Sequence, residues 1–122
     1  MNAEQLHRKA VESRYSGVCS VYERQNIRNE VTKITELKEV LVLEKQPCRI
    51  SFSSIQTTTE KQNAYTSEQV IKLFLAPEVD IKPGSKIVVI QADVTGEYER
   101  SGIPAVYPSH QEVILKQFGG YA

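Results

Sequence analysis

The chain has 122 residues, and its 15 lysines and arginines balance its 15 aspartates and glutamates. This length suits a single domain with one core, because a domain of this size buries roughly two-thirds of its unfolded surface. The charge balance argues against a strongly basic nucleic-acid footprint and against an acidic solvating tail. No run is apolar enough for a signal peptide or a membrane span, so we expect a soluble protein made in a reducing cytoplasm.

The first predicted element is a helix from about Ala3 to Arg14. Asn2 can cap its N-terminus, and Gln5 stands three residues later in the capping-box position. The apolar stripe of this helix is narrow, as expected for a helix on the surface of something larger, and consists of Ala3, Leu6 and Ala10.

The rest of the chain has the pattern of short strands and turns. A polar bend around Asn29 joins the first two strands, Pro47 can begin the third, and Pro83-Gly84 fits a type II turn in which only glycine adopts the required positive φ without cost. The predicted strands are Val18–Arg24, Lys38–Lys45, the segment from Pro47, Ser67–Ala76, Lys86–Gln91, Glu97–Tyr107 with interruptions at Gly102 and Pro104, and Glu112–Phe118.

Six or seven such strands predict a mainly β fold, a small rolled antiparallel β-barrel with one N-terminal α-helix. Residues 40–43 and 87–90 are apolar on both faces, so they need cover from a barrel interior and from the helix or a neighbouring subunit. We predict one domain over 1–122, with the helix at about 3–14, the barrel at about 18–118 and a flexible C-terminal tail at 119–122.

A polar run, QTTTEKQNAYT, separates the two strands with the clearest alternation. Hairpin loops usually need about two to five residues, so this longer connection suggests a loop with a use of its own. The alternative is a tolerated surface insertion without function. The predicted loop consists of Gln56, Thr57, Thr58, Thr59, Glu60, Lys61, Gln62, Asn63, Ala64, Tyr65 and Thr66.

Motifs for catalysis, metal binding and phosphate binding are absent from the sequence. Cys19 and Cys48 lack the spacing of a metal knuckle, and we expect buried free thiols rather than a disulfide. A dyad of either cysteine or of Ser109 with a histidine has no local support. Glu97 and Glu99 share a strand face and could form an acid–base pair, but a solvated face is the better interpretation. We therefore predict no enzyme activity, no cofactor and no metal.

Three segments in order carry a resemblance: EVLVLEKQPCRISF before the polar run, then SEQVIKLFLAPEVDIKPGSKIVV, then GEYERSGIPAVYPSHQEVILK. Together they resemble the minor capsid proteins of tailed bacteriophages that close the head at the head–tail connector. The strand layout is also similar to that of the stopper or head-completion proteins of long-tailed phages and defective prophages. The resemblance extends over about Val18 to Phe118.

The resemblance implies a virion protein without catalysis, made in the bacterial host cytoplasm. Such proteins assemble as a ring, commonly a dodecamer, beneath the portal and adaptor after DNA packaging, and the tail or a tail-terminator protein docks on the opposite side. In the stoppers a long loop between two barrel strands reaches into the channel and retains the DNA without reading its sequence. Here Gln56–Thr66 occupies the place of that loop, and the resemblance includes the structural turns at Pro83, Gly84, Gly102 and Pro104.

A second hypothesis comes from a different class of protein. Barrels of this kind can bind single-stranded nucleic acid by stacking bases on exposed aromatic rings. Tyr65, Tyr98 and Tyr107 could provide such rings, or could bind a peptide. A stand-alone binding module is therefore the alternative to the connector protein.

Overall fold

A computed structural model describes residues 2–59 and 64–121, with the backbone alone at 55–59 and 64–68. One helix precedes the strands, as the sequence predicts. The elements are α1 (Ala3–Glu12), β1 (Gly17–Arg28), β2 (Thr35–Thr59), β3 (Ala64–Leu75), β4 (Lys86–Gln91), β5 (Val94–Arg100), β6 (Ala105–Val106) and β7 (Gln111–Gln117).

The capping box of α1 has both of its hydrogen bonds. The Gln5 N–H donates to Asn2 Oδ1 at 2.8 Å, and the Asn2 N–H donates to Gln5 Oε1 at 3.0 Å. The helix ends at Glu12 rather than Arg14, because the Arg14 N–H bonds to the carbonyl of Val11 three residues back and so tightens the last turn.

Six antiparallel strands close into a barrel in the order β1-β2-β3-β7-β5-β4. Closure depends on β7, which pairs with β3 along one edge and with β5 along the other. The two-residue strand β6 pairs with the start of β7 beside β5. This arrangement confirms the predicted rolled barrel, in which every central strand has two neighbours.

The core fills the barrel with alternate residues of its strands. Cys19 and Cys48 are both fully buried and free, as predicted. The remaining core residues are Val21, Ile50, Ile71, Leu73, Leu75, Ile81, Ile87, Val89, Val113 and Leu115.

The connection from β3 to β4 covers part of the barrel. Buried Gln111 donates through Nε2 to the carbonyls of Ala76 and Val79, and Arg100 donates to the carbonyl of Ile81 at 2.7 Å. These bonds hold Ile81 in the core. The same connection contains the type II turn at Pro83-Gly84, with Gly84 at φ 84°.

Strand β2 continues for 25 residues, whereas the sequence predicts a break before Pro47. Its pairing with β1 shifts register on either side of Val21, and Lys45 adopts a φ of 49°. Bulges of this kind add unpaired residues and bend a strand without ending it. Pro47 lies just beyond this irregular stretch, opposite Val18, so the prediction that it begins a new strand is wrong.

Candidate functional site

Two hairpins extend beyond the barrel, and both belong to β2. Pairing of β1 with β4 ends at Tyr22, so residues 23–28 and 35–40 pair only with each other and form what we call the first arm. Pairing of β3 with β7 begins at Ile71, so residues 53–59 and 64–70 likewise form the second arm. At about 3.3 Å per residue, each arm extends roughly 20 Å from the barrel. Because β2 runs through the barrel between them, the arms leave it at opposite ends.

The second arm contains the segment that the sequence predicts as a loop. The backbone of Gln56–Thr59 pairs with that of Ala64–Ser67, so most of the predicted loop is strand. Only Glu60, Lys61, Gln62 and Asn63 separate the two strands, and these four residues lie outside the described part of the chain. Threonine favours extended backbone, because its branched side chain restricts χ1, which explains why a polar run can continue a hairpin.

Free strand edges begin where the second arm leaves the barrel. The last β1 partner of β2 is Gly17, opposite Cys48, and the backbone of Ile50 bonds instead to the side chain of Gln91. Beyond Ile50 that edge of β2 has no strand partner among residues 2–59 and 64–121. An unpaired edge of this length is a template for strand addition.

The first arm ends in a hydrogen-bonded turn with exposed apolar side chains. Asn29 Oδ1 accepts the N–H groups of Val31 at 2.9 Å and Thr32 at 3.2 Å, and Lys33 adopts a φ of 60°. Val31 is 90% exposed and Ile34 is 57% exposed. A preorganised tip that shows apolar side chains to solvent is typical of a contact surface.

The C-terminal residues lie against the base of the first arm. The Tyr121 hydroxyl donates to Glu39 Oε2 at 3.0 Å, and Lys86 Nζ bonds to Glu39 Oε1 at 2.9 Å. Hydrogen bonding to Lys86 lowers the pKa of Glu39, while burial and the bond to Glu39 raise the pKa of Tyr121 to about 12. The tail, for which the sequence predicts flexibility, therefore has a defined contact in the folded protein.

The predicted turn residues lie at two separate loops. Gly84 follows Pro83 in the connection before β4, and Gly102 adopts a φ of 86° between β5 and β6, two residues before Pro104. Both glycines need the left-handed region, which side chains with a Cβ disfavour.

The two glutamates considered as an acid–base pair have separate partners. Glu97 lies 4.0 Å from Lys86, and Glu99 lies 3.6 Å from Lys116. Because each carboxylate has its own lysine partner, the two glutamates are better interpreted as a solvated strand face than as an acid–base pair.

Ser109 and His110, in contrast, come together with a carboxylate. Ser109 Oγ lies 2.8 Å from His110 Nδ1, and His110 Nε2 lies 3.1 Å from Glu112 Oε2. Ser109 is only 5% exposed, so its hydroxyl has little access to a substrate. Tyr107 stacks on the His110 ring with a centroid distance of 5.0 Å, so these contacts fix the imidazole in place.

A cleft of about 300 Å³ between α1 and the barrel was not predicted from the sequence. It contains His7 and Arg14 from the helix side, and Arg49, Phe74 and His110 from the barrel. No local sequence motif indicates this cleft, because its residues come from distant parts of the chain. Within the described residues no group of three potential metal ligands comes together, and no helix is long and apolar enough to cross a membrane.

Comparisons with known proteins found little that resembles the chain. No protein-family model and no curated protein matches it. Among solved structures, the phage-like element PBSX protein xkdH from Bacillus subtilis is similar, with 13% sequence identity and a TM-score of 0.48. That match covers 82% of this chain and 91% of the other. Identity and TM-score are both too low for this likeness to assign a function.

Proposed function

We propose that the protein is a structural component of a phage or prophage head–tail connector. It assembles as a ring in the virion, closes the head after DNA packaging and presents a docking surface for the tail. The proposal gives it no catalytic role. It rests on the sequence resemblance and on one structural observation, the pair of arms that β2 sends from opposite ends of the barrel.

The two arms suit a protein that contacts different partners above and below a ring. Each arm extends roughly 20 Å beyond the strands that close the barrel, and each has backbone edges without a strand partner in the described residues. Exposed edges give affinity through main-chain hydrogen bonds to a neighbouring strand. A compact barrel without arms would offer contacts only at its own rim.

The composition of the second arm suits a channel that must release DNA. The run Gln56–Thr66 has four threonines, and its single glutamate and single lysine cancel, while Glu68 gives the whole arm one further negative charge. Binding to DNA phosphates depends mainly on lysine and arginine, so a ring of such arms would not hold the genome electrostatically. The arm would instead retain DNA by narrowing the channel.

Binding to a portal–adaptor complex tests the assembly role. We expect the purified protein to associate weakly with itself and to bind the assembled complex, as measured by co-sedimentation. Failure to bind under any condition, with the barrel intact by circular dichroism, would overturn the proposal.

The paired register allows the channel role to be tested separately. Gln56 lies opposite Ser67, so replacing Thr57–Thr66 by Asn-Gly shortens the arm and leaves a tight hairpin. We expect filled heads with this variant to lose DNA faster than heads with a control in which Thr57–Thr59 become serines. DNA retention equal to that of the unaltered protein would remove the channel role and leave the assembly role standing.

The structure also bears on the nucleic-acid alternative. Tyr98 lines a cleft of about 230 Å³ with Phe52 at the root of the second arm, whereas Tyr107, 46% exposed, lies in a different cleft beside α1. The side chain of Tyr65 lies outside the described residues. Stacking along one strand needs rings on one surface, which Tyr98 and Tyr107 do not share. Titration with labelled single-stranded DNA at low salt tests this alternative, and micromolar binding would support it.

A further inference from the structure

Helix α1 lies over the barrel without closing onto it. No residue of the helix is buried, and Leu6 is 56% exposed. Next to the cleft of about 300 Å³ beneath α1 lies a second one of about 500 Å³, and both are lined by His7 and His110. Ligand sites are typically clefts of about 300–1,000 Å³, so the space under the helix has the dimensions of a binding site.

The cleft beneath α1 is basic although the chain as a whole has no net charge. Arg14 and Arg49 line it together with two histidines, and no acidic residue of the described part of the chain lines it. Among the described residues, the guanidinium of Arg14 has no hydrogen bond or ion pair, and that of Arg49 has one interaction, with the ring of Phe74 at 5.7 Å. Both arginines are exposed and accessible to a carboxylate, which a guanidinium binds through two parallel hydrogen bonds.

Of the acidic side chains around the cleft beneath α1, Glu4 lines the neighbouring cleft, and Glu12 and Glu112 already have partners. Glu12 accepts from Arg8 Nε at 2.7 Å, and Glu112 lies 3.1 Å from His110 and 3.5 Å from Lys72. Neither side chain lines the cleft beneath α1. The described lining of this cleft therefore provides no carboxylate for Arg14 or Arg49.

Aromatic and apolar groups complete the walls of the cleft beneath α1. Phe74 lies between Arg49 and His110, and Ala10 and Val11 face the cleft from the helix. Arginine and aromatic residues are enriched at the centres of protein interfaces, where they contribute most of the binding energy. A double helix of DNA is too wide to enter a space that a helix covers.

We propose that this cleft binds an acidic segment of a partner protein. A carboxylate of the segment lies between Arg14 and Arg49, and an apolar side chain next to it contacts Phe74 and Val11. The inference rests on the proposed connector function only for the identity of the partner, a neighbouring protein of the connector. The binding chemistry belongs to the cleft alone.

Peptide titration of the isolated protein tests the proposal. The probe is an N-acetylated, C-amidated hexapeptide of alternating glutamate and phenylalanine, followed through backbone amide shifts of residues 7–15, 49, 74 and 110. We expect saturable shifts at these positions, and affinity lowered at least about tenfold by Arg14→Glu with Arg49→Glu. Arg28→Glu, a reversal on the exposed first arm, is the matched control and should leave the affinity unchanged.

Two further probes separate the carboxylate from other ligands. A peptide with glutamine in place of glutamate should bind at least about tenfold more weakly, because it lacks the charge that pairs with arginine. Equal binding of the glutamine peptide, tighter binding of hexathymidylate, or no shift with the acidic peptide would each overturn the proposal. Such a failure would leave the connector function untouched, since that function is tested with the portal–adaptor complex.

Discussion

The side-chain amide of Gln91 hydrogen-bonds to both backbone groups of Ile50. Its Oε1 accepts the Ile50 N–H at 2.9 Å, and its Nε2 donates to the Ile50 carbonyl at 3.1 Å. Ile50 lies where β2 has left β1, since the pairing of those strands ends at Cys48. Gln91 therefore replaces a missing strand neighbour and satisfies two backbone groups that burial would otherwise penalise.

We expect Gln91→Ala to lower the free energy of unfolding by about 1–3 kcal/mol, because it leaves both groups of Ile50 without a partner. Urea denaturation followed by circular dichroism measures the change. Gln117→Ala, at an exposed position of β7, should change the stability by no more than about 0.5 kcal/mol. Equal losses in the two variants would show that the Gln91 contact is unimportant.

The two residues of the turn between β4 and β5 are not the most stable choice for its backbone conformation. Ala92 and Asp93 adopt φ values of 52° and 62°, as in a type I′ turn, where Asn-Gly is preferred. We expect the double change Ala92→Asn with Asp93→Gly to raise stability by about 1 kcal/mol, since it removes the strain of a Cβ in the left-handed region. The melting temperature measures this, and Ala105→Asn, in an ordinary strand conformation, should give no such gain.

The contact between Arg8 and Glu78 fastens α1 to the barrel connection. Arg8 Nη2 lies 2.6 Å from Glu78 Oε1, while Arg8 Nε also bonds to Glu12 within the helix. Glu78→Gln removes the negative charge that pairs with Arg8 and leaves the ion pair between Arg8 and Glu12 within the helix intact. We expect faster amide exchange across α1 with little change in global unfolding, because exposed ion pairs contribute little while local opening depends on few contacts. Lys9→Ala is the control, and unchanged exchange in Glu78→Gln would contradict the expectation.

The same contact predicts a pH dependence for α1. Hydrogen bonding to Arg8 lowers the pKa of Glu78 below its ordinary value of 4.5. A lowered carboxylate pKa means that the contact is complete above pH 4.5 and is lost as the pH falls through the lower, folded value. We expect heteronuclear NOE values of α1 to fall in that acidic range. Glu78→Gln should remove this transition, and a wild-type profile in the variant would assign it to another group.

The two core thiols should be inert in the folded protein. The hydrogen bond between the two thiols raises the pKa of Cys19 and lowers the pKa of Cys48, but neither side chain has any exposed surface. We expect no reaction with Ellman's reagent at about pH 8, and two thiols per chain after unfolding, because only accessible thiolates react. Val94→Cys, at the exposed first residue of β5, should react at once and serves as the positive control. Rapid native reaction of the unaltered chain would show that the barrel opens.

The barrel strands could be predicted because they have one face in the core. Ile71, Leu73 and Leu75 alternate in the sequence and are all buried, and β4 has the predicted bounds, Lys86–Gln91. The helix capping box could also be predicted from the sequence, since it depends on two residues that are three positions apart. In each case the physical cause is local or has the period of the element itself.

The arms and the basic cleft could not be predicted, for two different reasons. An arm outside the barrel has no core face, so Gln56–Thr59 lacks the alternation that identifies a strand and reads as a loop. Arg14, Arg49 and His110 meet only because the barrel closes, which brings α1, β2 and the start of β7 to one side. Nothing in their spacing along the chain indicates this meeting.

The unbroken course of β2 has a mechanical consequence. A force that pulls on the tip of the first arm is carried to the second along covalent backbone, without crossing a hinge between separate elements. Strand β2 can lengthen or bend most easily near Leu43 and Lys45, opposite Val21 of β1, where ladder pairing is already interrupted. A single strand, β2, thus connects the two ends of the molecule, and the part of it that deforms most easily lies next to the first arm.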